Sequence, residues 1–409
     1  MFFIVSRFSL LIPRAGEWII SSEEFSASYA SKLFEESRLK VRAEIFFKIS
    51  LPIINEISKR YKICHIIQYS KNLPKFYKDI LLSYSNKYDF IRLDCIDVKD
   101  SRTDQLYKFI IPSELKKFSN NNLQIFGLFN LDDDDLLSID FIDRMSNYLR
   151  EENVGRLISF GKGLTGFYNN QTNKIENLRV AYCPKINIGL TKICTLNLIN
   201  GDYVMPISID HSKSDFENIV LLDSREISYF WMRSIDQDTN IFSRMNVGLK
   251  DKIFQDLDSY PVVMTSDTGL KKFPFLIDYV VEKKLTQYSV LSNFELSEDL
   301  FEITLPEKCS GEIRIEYLLE DTYEIENSAV LVFGRLDEQG DHINFNGLVL
   351  SDNPDYGFYR YMSAKNKSGT ITFELPSGVG IEKFRIGLWG ECHKLTIKEL
   401  VIGFSNTIT

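Results

Sequence analysis

Four consecutive aspartates, Asp132 to Asp135, follow the apolar run Leu123-Gln-Ile-Phe-Gly-Leu-Phe129. Carboxylates packed this closely repel one another and cost stability unless a cation or solvent screens them. The Asp132-x-Asp134 spacing lets two of them converge on one hard divalent cation, and such a cation can hold a diphosphate. The apolar run has the length and character of a short buried strand, and Phe141 to Leu149 behind it has helical spacing. The acidic run therefore falls where a strand end crosses into a helix, the edge at which open α/β sheets bind ligands. A solvated acidic loop, or the charge of a helix N-terminus, which favours Asp, would account for the same residues.

The elements that must position this run can be read along the first 255 residues. Phe2 to Val5, Lys62 to Tyr69, Phe90 to Leu93 and Leu123 to Phe129 read as strands. Arg42 to Tyr61, Leu73 to Asn86, Ser101 to Phe118 and Asp140 to Glu152 read as helices. Strand-helix alternation predicts a mainly parallel sheet with helices on its faces, an α/β, Rossmann-like domain. Leu157 to Gly161, Gly166 to Tyr168, Leu178 to Tyr182 and Gly189 to Ile193 then read as shorter strands of a smaller mixed part.

The pattern changes near residue 290. From Leu300 to Gly403 the chain breaks into short alternating segments with turn residues such as Pro306, Gly340, Asn353-Pro354 and Gly390 between or near them. That spacing predicts an all-β C-terminal β-sandwich over 291–409, with 256–290 as a connector.

Composition narrows the classes of partner. The 409 residues carry a formal net charge of -9, a field that disfavours nucleic acid and anionic membrane surfaces. Arg38, Lys40, Arg42 and Lys48 are the best candidates for a local basic patch. Six cysteines are scattered without a C-x-x-C pair, so reduced thiols are the simplest reading. The apolar N-terminus is broken by Arg7 and lacks the basic lead and cleavage site of a signal peptide; it reads as a first core strand. No stretch approaches the ~18 apolar residues of a membrane span, so any membrane association is expected to be peripheral.

Three blocks carry a family resemblance over roughly the first 250 residues. They are Ile4-Val-Ser-Arg-Phe-Ser9, Arg42-Ala-Glu-Ile-Phe-Phe-Lys-Ile-Ser-Leu-Pro52, and Leu131-Asp-Asp-Asp-Asp-Leu-Leu-Ser-Ile-Asp-Phe-Ile142. Together they resemble the bacterial rhamnosyltransferases, nucleotide-sugar-dependent enzymes of the GT-A kind. The second block departs from the family pattern at Ile53, where a Ser is expected. A fourth block, Trp231 to Asn240, has Asp236 where the family would have His.

The resemblance implies a nucleotide-sugar donor, a glycan or glycolipid acceptor, and Mn²⁺ or Mg²⁺ neutralising the leaving diphosphate. Asp132 and Asp133 would face the donor, and Asp132, Asp134 and Asp135 the cation. Arg7 would sit by the nucleotide base or phosphate, with Arg38 and Arg42 reaching phosphate oxygens through bidentate geometry. A surface Arg at a strand end, or a solvated basic face, explains the same three residues. If the enzyme inverts, a base must take the acceptor's proton; Asp210, His211, Asp223 and Asp236 are the candidates. His211 beside Asp210 could also ligate metal, or be a plain surface His. Trp231, ahead of Asp236 and Asn240, could floor an acceptor sugar or fill a core. Gly161-Lys-Gly163 is a flexible turn that could line the site but is no phosphate loop.

In the C-terminal part, Tyr356, Phe358, Tyr359, Tyr361 and Trp389 are of the kind that stacks on sugar rings, or of the kind that fills a strand core. The expectation is a cytoplasmic glycosyltransferase at the inner face of the inner membrane, building capsule or lipopolysaccharide. Another metal-dependent nucleotide enzyme, or an inactive glycan-binding scaffold, is the alternative.

Overall fold

The structure, a computed structural model, describes residues 1–11, 27–97, 106–118, 121–237, 248–260, 269–281, 286–334, 336, 347–353, 355–375 and 379–405. Two compact units divide it. Unit 1 comprises Met1–Leu257 with Thr265–Val281, and unit 2 Asp258–Met264 with Glu282–Thr409.

Unit 1 begins with β1 (Phe2–Phe8), whose Phe3, Ile4 and Val5 are all buried. Successive strand residues point to opposite faces, so a continuous buried run means both faces are covered, the condition of a parallel sheet. Helices α1 (Ala27–Leu33), α2 (Glu36–Ile45) and α3 (Leu51–Ser58) follow, with a π-helical turn at Phe46–Ser50 joining the last two. The helix expected over Arg42 to Tyr61 thus starts earlier and is not uniform. Then come β2 (Ile63–Ser70), α4 (Lys75–Lys87), β3 (Ile91–Ile96), α5 (Ile111–Phe118) and β4 (Leu123–Asn130). The first part of the helix expected from Ser101 lies outside the described residues.

β5 (Leu136–Leu137), α6 (Phe141–Met145), β6 (Leu157–Ser159), β7 (Lys162–Asn169), β8 (Lys174–Tyr182), β9 (Thr191–Asn197), β10 (Tyr203–Val204), β11 (Val220–Leu222) and β12 (Tyr229–Arg233) complete the strands and helices that build the sheets of the unit. The main sheet has eight strands in the order β11-β6-β9-β4-β1-β2-β3, with β10 on β9. β1 lies parallel to both β2 and β4, and β2 parallel to β3, while β9 runs antiparallel to β4. The parallel strands β1 to β4 stand as expected, but the sheet as a whole is mixed, because β6 and β9, expected in the smaller mixed part, join it with β9 antiparallel to both β4 and β6. A second sheet of four strands, β5-β12-β7-β8, stands after β4. The helix expected over Asp140 to Glu152 is realised as α6 followed by two single 3₁₀ turns. Ser146 Oγ donates to the Asp143 carbonyl and Asn147 Nδ2 to that of Arg144, so side chains compete with the helix for its carbonyls.

Unit 2 is strand-rich. It holds β13 (Thr286–Glu295), β14 (Phe301–Ser310), β15 (Glu312–Leu319), β16 (Ala329–Gly334), β17 (Val349–Leu350), β18 (Phe358–Met362), β19 (Ser368–Glu374), β20 (Gly380–Leu388) and β21 (Thr396–Ser405). These form a four-stranded sheet, β13-β21-β15-β19, and a five-stranded sheet, β14-β20-β16-β18-β17. One core cluster draws on both sheets, with Ile313 and Ile315 of β15 beside Leu331 and Phe333 of β16. β13 falls partly in the stretch expected to be a connector. Eight of its residues are registered against β21, and a register shift between Ser289 and Leu291 breaks the apolar alternation, so that Val290 and Leu291 are both half-buried.

Candidate active site

The acidic run is fixed from three directions. First, its upstream end is tied to the sheet. Val5 is registered opposite Asn130, and the Leu131 N–H donates to the Val5 carbonyl at 3.0 Å. Ser6 Oγ donates to the Leu131 carbonyl at 2.6 Å and lies 2.7 Å from His65 Nε2. Because the Ser6 proton goes to Leu131, the His65 Nε2–H must donate to Ser6. Burial pushes the His65 imidazole down to about 3, so it is neutral.

Second, Arg42 reaches in from α2. Its two terminal nitrogens pair with Asp133 and Asp134, and all three side chains are buried. An unpaired carboxylate in such a place would be costly, and the guanidinium fork matches two carboxylates at once.

Third, the downstream end is sewn to β12. Leu136 and Leu137 pair antiparallel with Phe230 and Tyr229, and the Ser138 N–H donates to the Ser228 carbonyl at 2.9 Å. The Met232 N–H donates to Asp135 Oδ1 at 3.3 Å, and Ser50 Oγ donates to the Asp135 carbonyl at 3.1 Å. Burial pushes the Asp135 carboxyl well above its ordinary value, and the charges of Asp134 and Asp132 push it the same way; the Met232 N–H and Arg42 oppose them. Asp132 is only half-buried and is the most open of the four.

The run can therefore present one open carboxylate, backed by two buried carboxylates that share the single positive charge of Arg42 and one whose ionisation is resisted. Among the described residues no group of three or more His, Cys, Asp and Glu side chains is placed to hold an ion. The donor set does not amount to an all-protein cage. It suits a cation held by one or two carboxylates and mostly by substrate phosphates, the manner in which Mg²⁺ is commonly bound.

Across the neighbouring strands lies a row that sequence reasoning reached only at one end. Arg7 is registered opposite Gln68, and Gln68 opposite Asp94, one residue on each of β1, β2 and β3. Residues in register share a face. Gln68 Nε2 donates to Asp94 Oδ2 at 3.0 Å, Asp94 is buried, and Arg7 and Gln68 are half-buried. The row stands near the carboxyl ends of three parallel strands, beside the strand that carries the acidic run. Only strand register, which a single sequence does not display, brings Gln68 and Asp94 to Arg7.

Residues 2–191 match the family model described as "Putative rhamnosyl transferase". These residues are similar to that family. They contain the acidic run, Arg42 and the Arg7 row, and the family is one of glycosyltransferases. No curated protein matches the chain. Among solved structures, the crystal structure of S. aureus TarS 1-349 is 8% identical with a TM-score of 0.25, covering 56% of this chain and 60% of that one. A low-affinity xylan binding module, CBM86, from Roseburia intestinalis is 14% identical with a TM-score of 0.16, covering 29% of this chain and 86% of that one. At such scores neither likeness bears on fold or function.

The other expected site residues are placed as follows. Arg38 is fully buried and donates to Ser9 Oγ at 3.1 Å and to the Leu33 carbonyl at 2.9 Å, bracing the end of β1, where Ser9 has φ of 45°. The basic cluster is therefore divided: Arg38 and Arg42 point inward, and only Lys40 and Lys48 are exposed. Asp133 has no exposed surface from which to meet a donor. Asp236 is fully buried, four residues beyond Met232, and accepts from Asn170 Nδ2 at 3.0 Å. Asp210 is exposed and accepts from the Ser212 N–H and Oγ, which hold its carboxyl below the ordinary range. His211 is exposed, with Nδ1 3.0 Å from the Lys185 carbonyl. Among the described residues neither Asp210 nor His211 makes a hydrogen bond or ion pair to the acidic run. Asp223 is held by Arg225 and by the Tyr148 hydroxyl, and its carboxyl is pushed down accordingly. The Trp231 ring is covered by the Arg233 guanidinium at 4.6 Å. Asn240 lies outside the described residues.

Proposed function

We propose that unit 1 is a GT-A type domain that transfers a hexosyl or deoxyhexosyl group from a nucleotide sugar to a growing bacterial surface glycan, capsule or lipopolysaccharide. The observation that carries this reading is a single coincidence: the matched residues 2–191 hold a rigidly tethered acidic run at the carboxyl end of β4. Beside it, the Arg7, Gln68 and Asp94 row offers the donors and acceptors that a nucleobase and ribose require. Asp132 faces the donor. Arg42 fixes Asp133 and Asp134 behind it, and Asp135 anchors the loop to β12.

Mn²⁺ or Mg²⁺, held by Asp132 with Asp134 or Asp135 in support, would supply neutralisation of the leaving nucleoside diphosphate. The acceptor hydroxyl must lose a proton as it attacks the anomeric carbon. Asp236, Asp210 and His211 are the candidate bases; Asp236 follows β12, the strand that anchors Asp135, by three residues but is fully buried, whereas Asp210 and His211 are exposed. Among the described residues no helix is long and apolar enough to cross a membrane. A cytoplasmic site of action, at most peripheral to the inner membrane, accords with the compartment of nucleotide sugars. Unit 2, read as a β-sandwich, accompanies this domain and holds none of the donor residues.

One observation favours a second reading. Arg42 already satisfies Asp133 and Asp134, so an inactive glycan-binding scaffold would keep the same buried arrangement. Thermal denaturation of the full chain with a set of nucleotide sugars, with and without Mn²⁺, followed by transfer assays, separates the two. A ligand present at 100 times its Kd stabilises by about 2.7 kcal/mol. A shift with one donor, and release of its nucleoside diphosphate, supports transfer; no shift with any donor supports the scaffold.

A further inference from the structure

β18 of unit 2 has two unlike faces. Phe358 and Met362 point into the core shared by the two sheets. Tyr359 and Tyr361 occupy the alternate positions and so stand on the other face. They lie opposite Val332 and Val330 of β16. Those valines alternate with Ala329, Leu331 and Phe333 of the shared core, yet each is only 1% exposed. The face of β16 and β18 turned from the shared core therefore carries aromatic rings beside two buried valines.

Trp389 extends that face. It follows the last residue of β20, and its N–H donates to the Ser328 carbonyl at 3.1 Å. Gly390 behind it has φ of 64°, a left-handed turn that sends the chain away and leaves the indole 37% exposed. Ring centroids are 5.4 Å apart for Tyr361 and Trp389, 6.2 Å for Tyr356 and Trp389, and 5.2 Å for Tyr359 and Tyr361. The three tyrosines are half-buried, so their rings are seated while their edges reach the surface.

We propose that Tyr356, Tyr359, Tyr361 and Trp389 form a binding platform for a neutral glycan chain. Each ring is apolar on its face and carries an O–H or N–H at its rim, matching a sugar ring that shows C–H bonds on one side and hydroxyls at its edge. The net charge of -9 selects a neutral polymer over an acidic one. The platform draws on no residue of the acidic site, so it holds glycan whether or not unit 1 transfers sugar.

The test is electrophoresis of the full chain through native gels containing soluble xylan, barley β-glucan or dextran, with polygalacturonate as the acidic polymer. Retardation is expected in at least one neutral gel and absent with polygalacturonate. Trp389→Ala and Tyr361→Ala should each raise the apparent Kd at least tenfold, whereas Trp389→Phe, which keeps a ring, should retain binding at an unchanged melting temperature. Asp132→Asn should bind as the parent chain does, separating this result from the fate of the transfer reaction. Retardation in none of the neutral gels, retardation by polygalacturonate alone, or undiminished retardation of the doubly substituted W389A/Y361A chain would overturn the proposal.

Discussion

Arg42 and Asp134 lie 92 residues apart in the chain and are buried against each other. The same guanidinium also holds Asp133, so one cation from α2 is shared by two carboxylates in the acidic run. Removing one partner of a buried ion pair leaves an uncompensated charge and costs about 3–5 kcal/mol. Arg42→Ala should therefore lower unfolding free energy by about that much, as measured by urea denaturation. A loss under about 1 kcal/mol, the range of an exposed pair, would mean that Arg42 is not the run's counter-ion.

Asp132 differs from its neighbours by being half-exposed. Asp132→Asn should keep the melting temperature within a degree or two of the parent and reduce transfer by about 100-fold or more, the scale on which a preorganised electrostatic partner acts. Asp134→Asn should impair transfer as well, but it should also destabilise, because it breaks the pair with Arg42. Full activity in both variants would remove the run from the reaction.

His65 gives the fold a pH dependence. Its folded-state pKa is about 3 because burial penalises the charged ring, while the unfolded chain titrates at the ordinary value near 6.5. A depressed His pKa contributes stability that is present above 6.5 and lost as pH falls towards 3. The loss is up to about 1.4 kcal/mol per pH unit. His65→Gln cannot take up that proton, so the stability gap between parent and variant should narrow from pH 7 to pH 5. A gap independent of pH would show that His65 is charged, or accessible, in the folded chain.

Gly189 closes the turn between β8 and β9 and donates its N–H to the Asn130 carbonyl at 3.2 Å, next to the acidic run. Its φ is +70°, and a Cβ there would approach Phe141 to 2.5 Å. Gly189→Ala should destabilise by about 1–3 kcal/mol, from backbone strain and overpacking together. An unchanged melting temperature would contradict the tight approach.

Unit 2 holds none of the residues assigned to the donor. A chain ending at Val281 should therefore still be stabilised by whichever nucleotide sugar stabilises the full chain. Loss of that shift in a folded, cooperatively melting product would place part of the donor site in unit 2.

The legible parts of this sequence are those set by local periodicity. β4 and the aspartates behind it can be read directly, because an apolar run of strand length ending in charge has few other forms. The parallel strands β1 to β3 can be read from their alternation with helices. What the sequence hides depends on register and on distant partners. Arg42 looks like half of a solvated basic face until the fold turns it onto Asp133 and Asp134. Gln68 and Asp94 carry no signal until β2 and β3 align them with Arg7. β13 is hidden for another reason: a register shift between Ser289 and Leu291 breaks its alternation, and the side chains it packs on the core, Tyr288, Val290, Leu291 and Phe294, are only half-buried.

The acidic run is completed by a segment made much later. Asp135 accepts the N–H of Met232, 97 residues downstream. At a synthesis rate of 5–20 residues per second, that interval lasts roughly 5–20 s. During it a nascent chain already possesses β1 to β4 and Arg42, but not the β12 strand to which Leu136 and Leu137 must pair. The order of emergence thus acts as a timer: the first half of the unit emerges with β1 and Arg42 in hand but with Asp135 and the Leu136–Leu137 end of the run still unpinned, and that end closes only when Tyr229 to Arg233 follow.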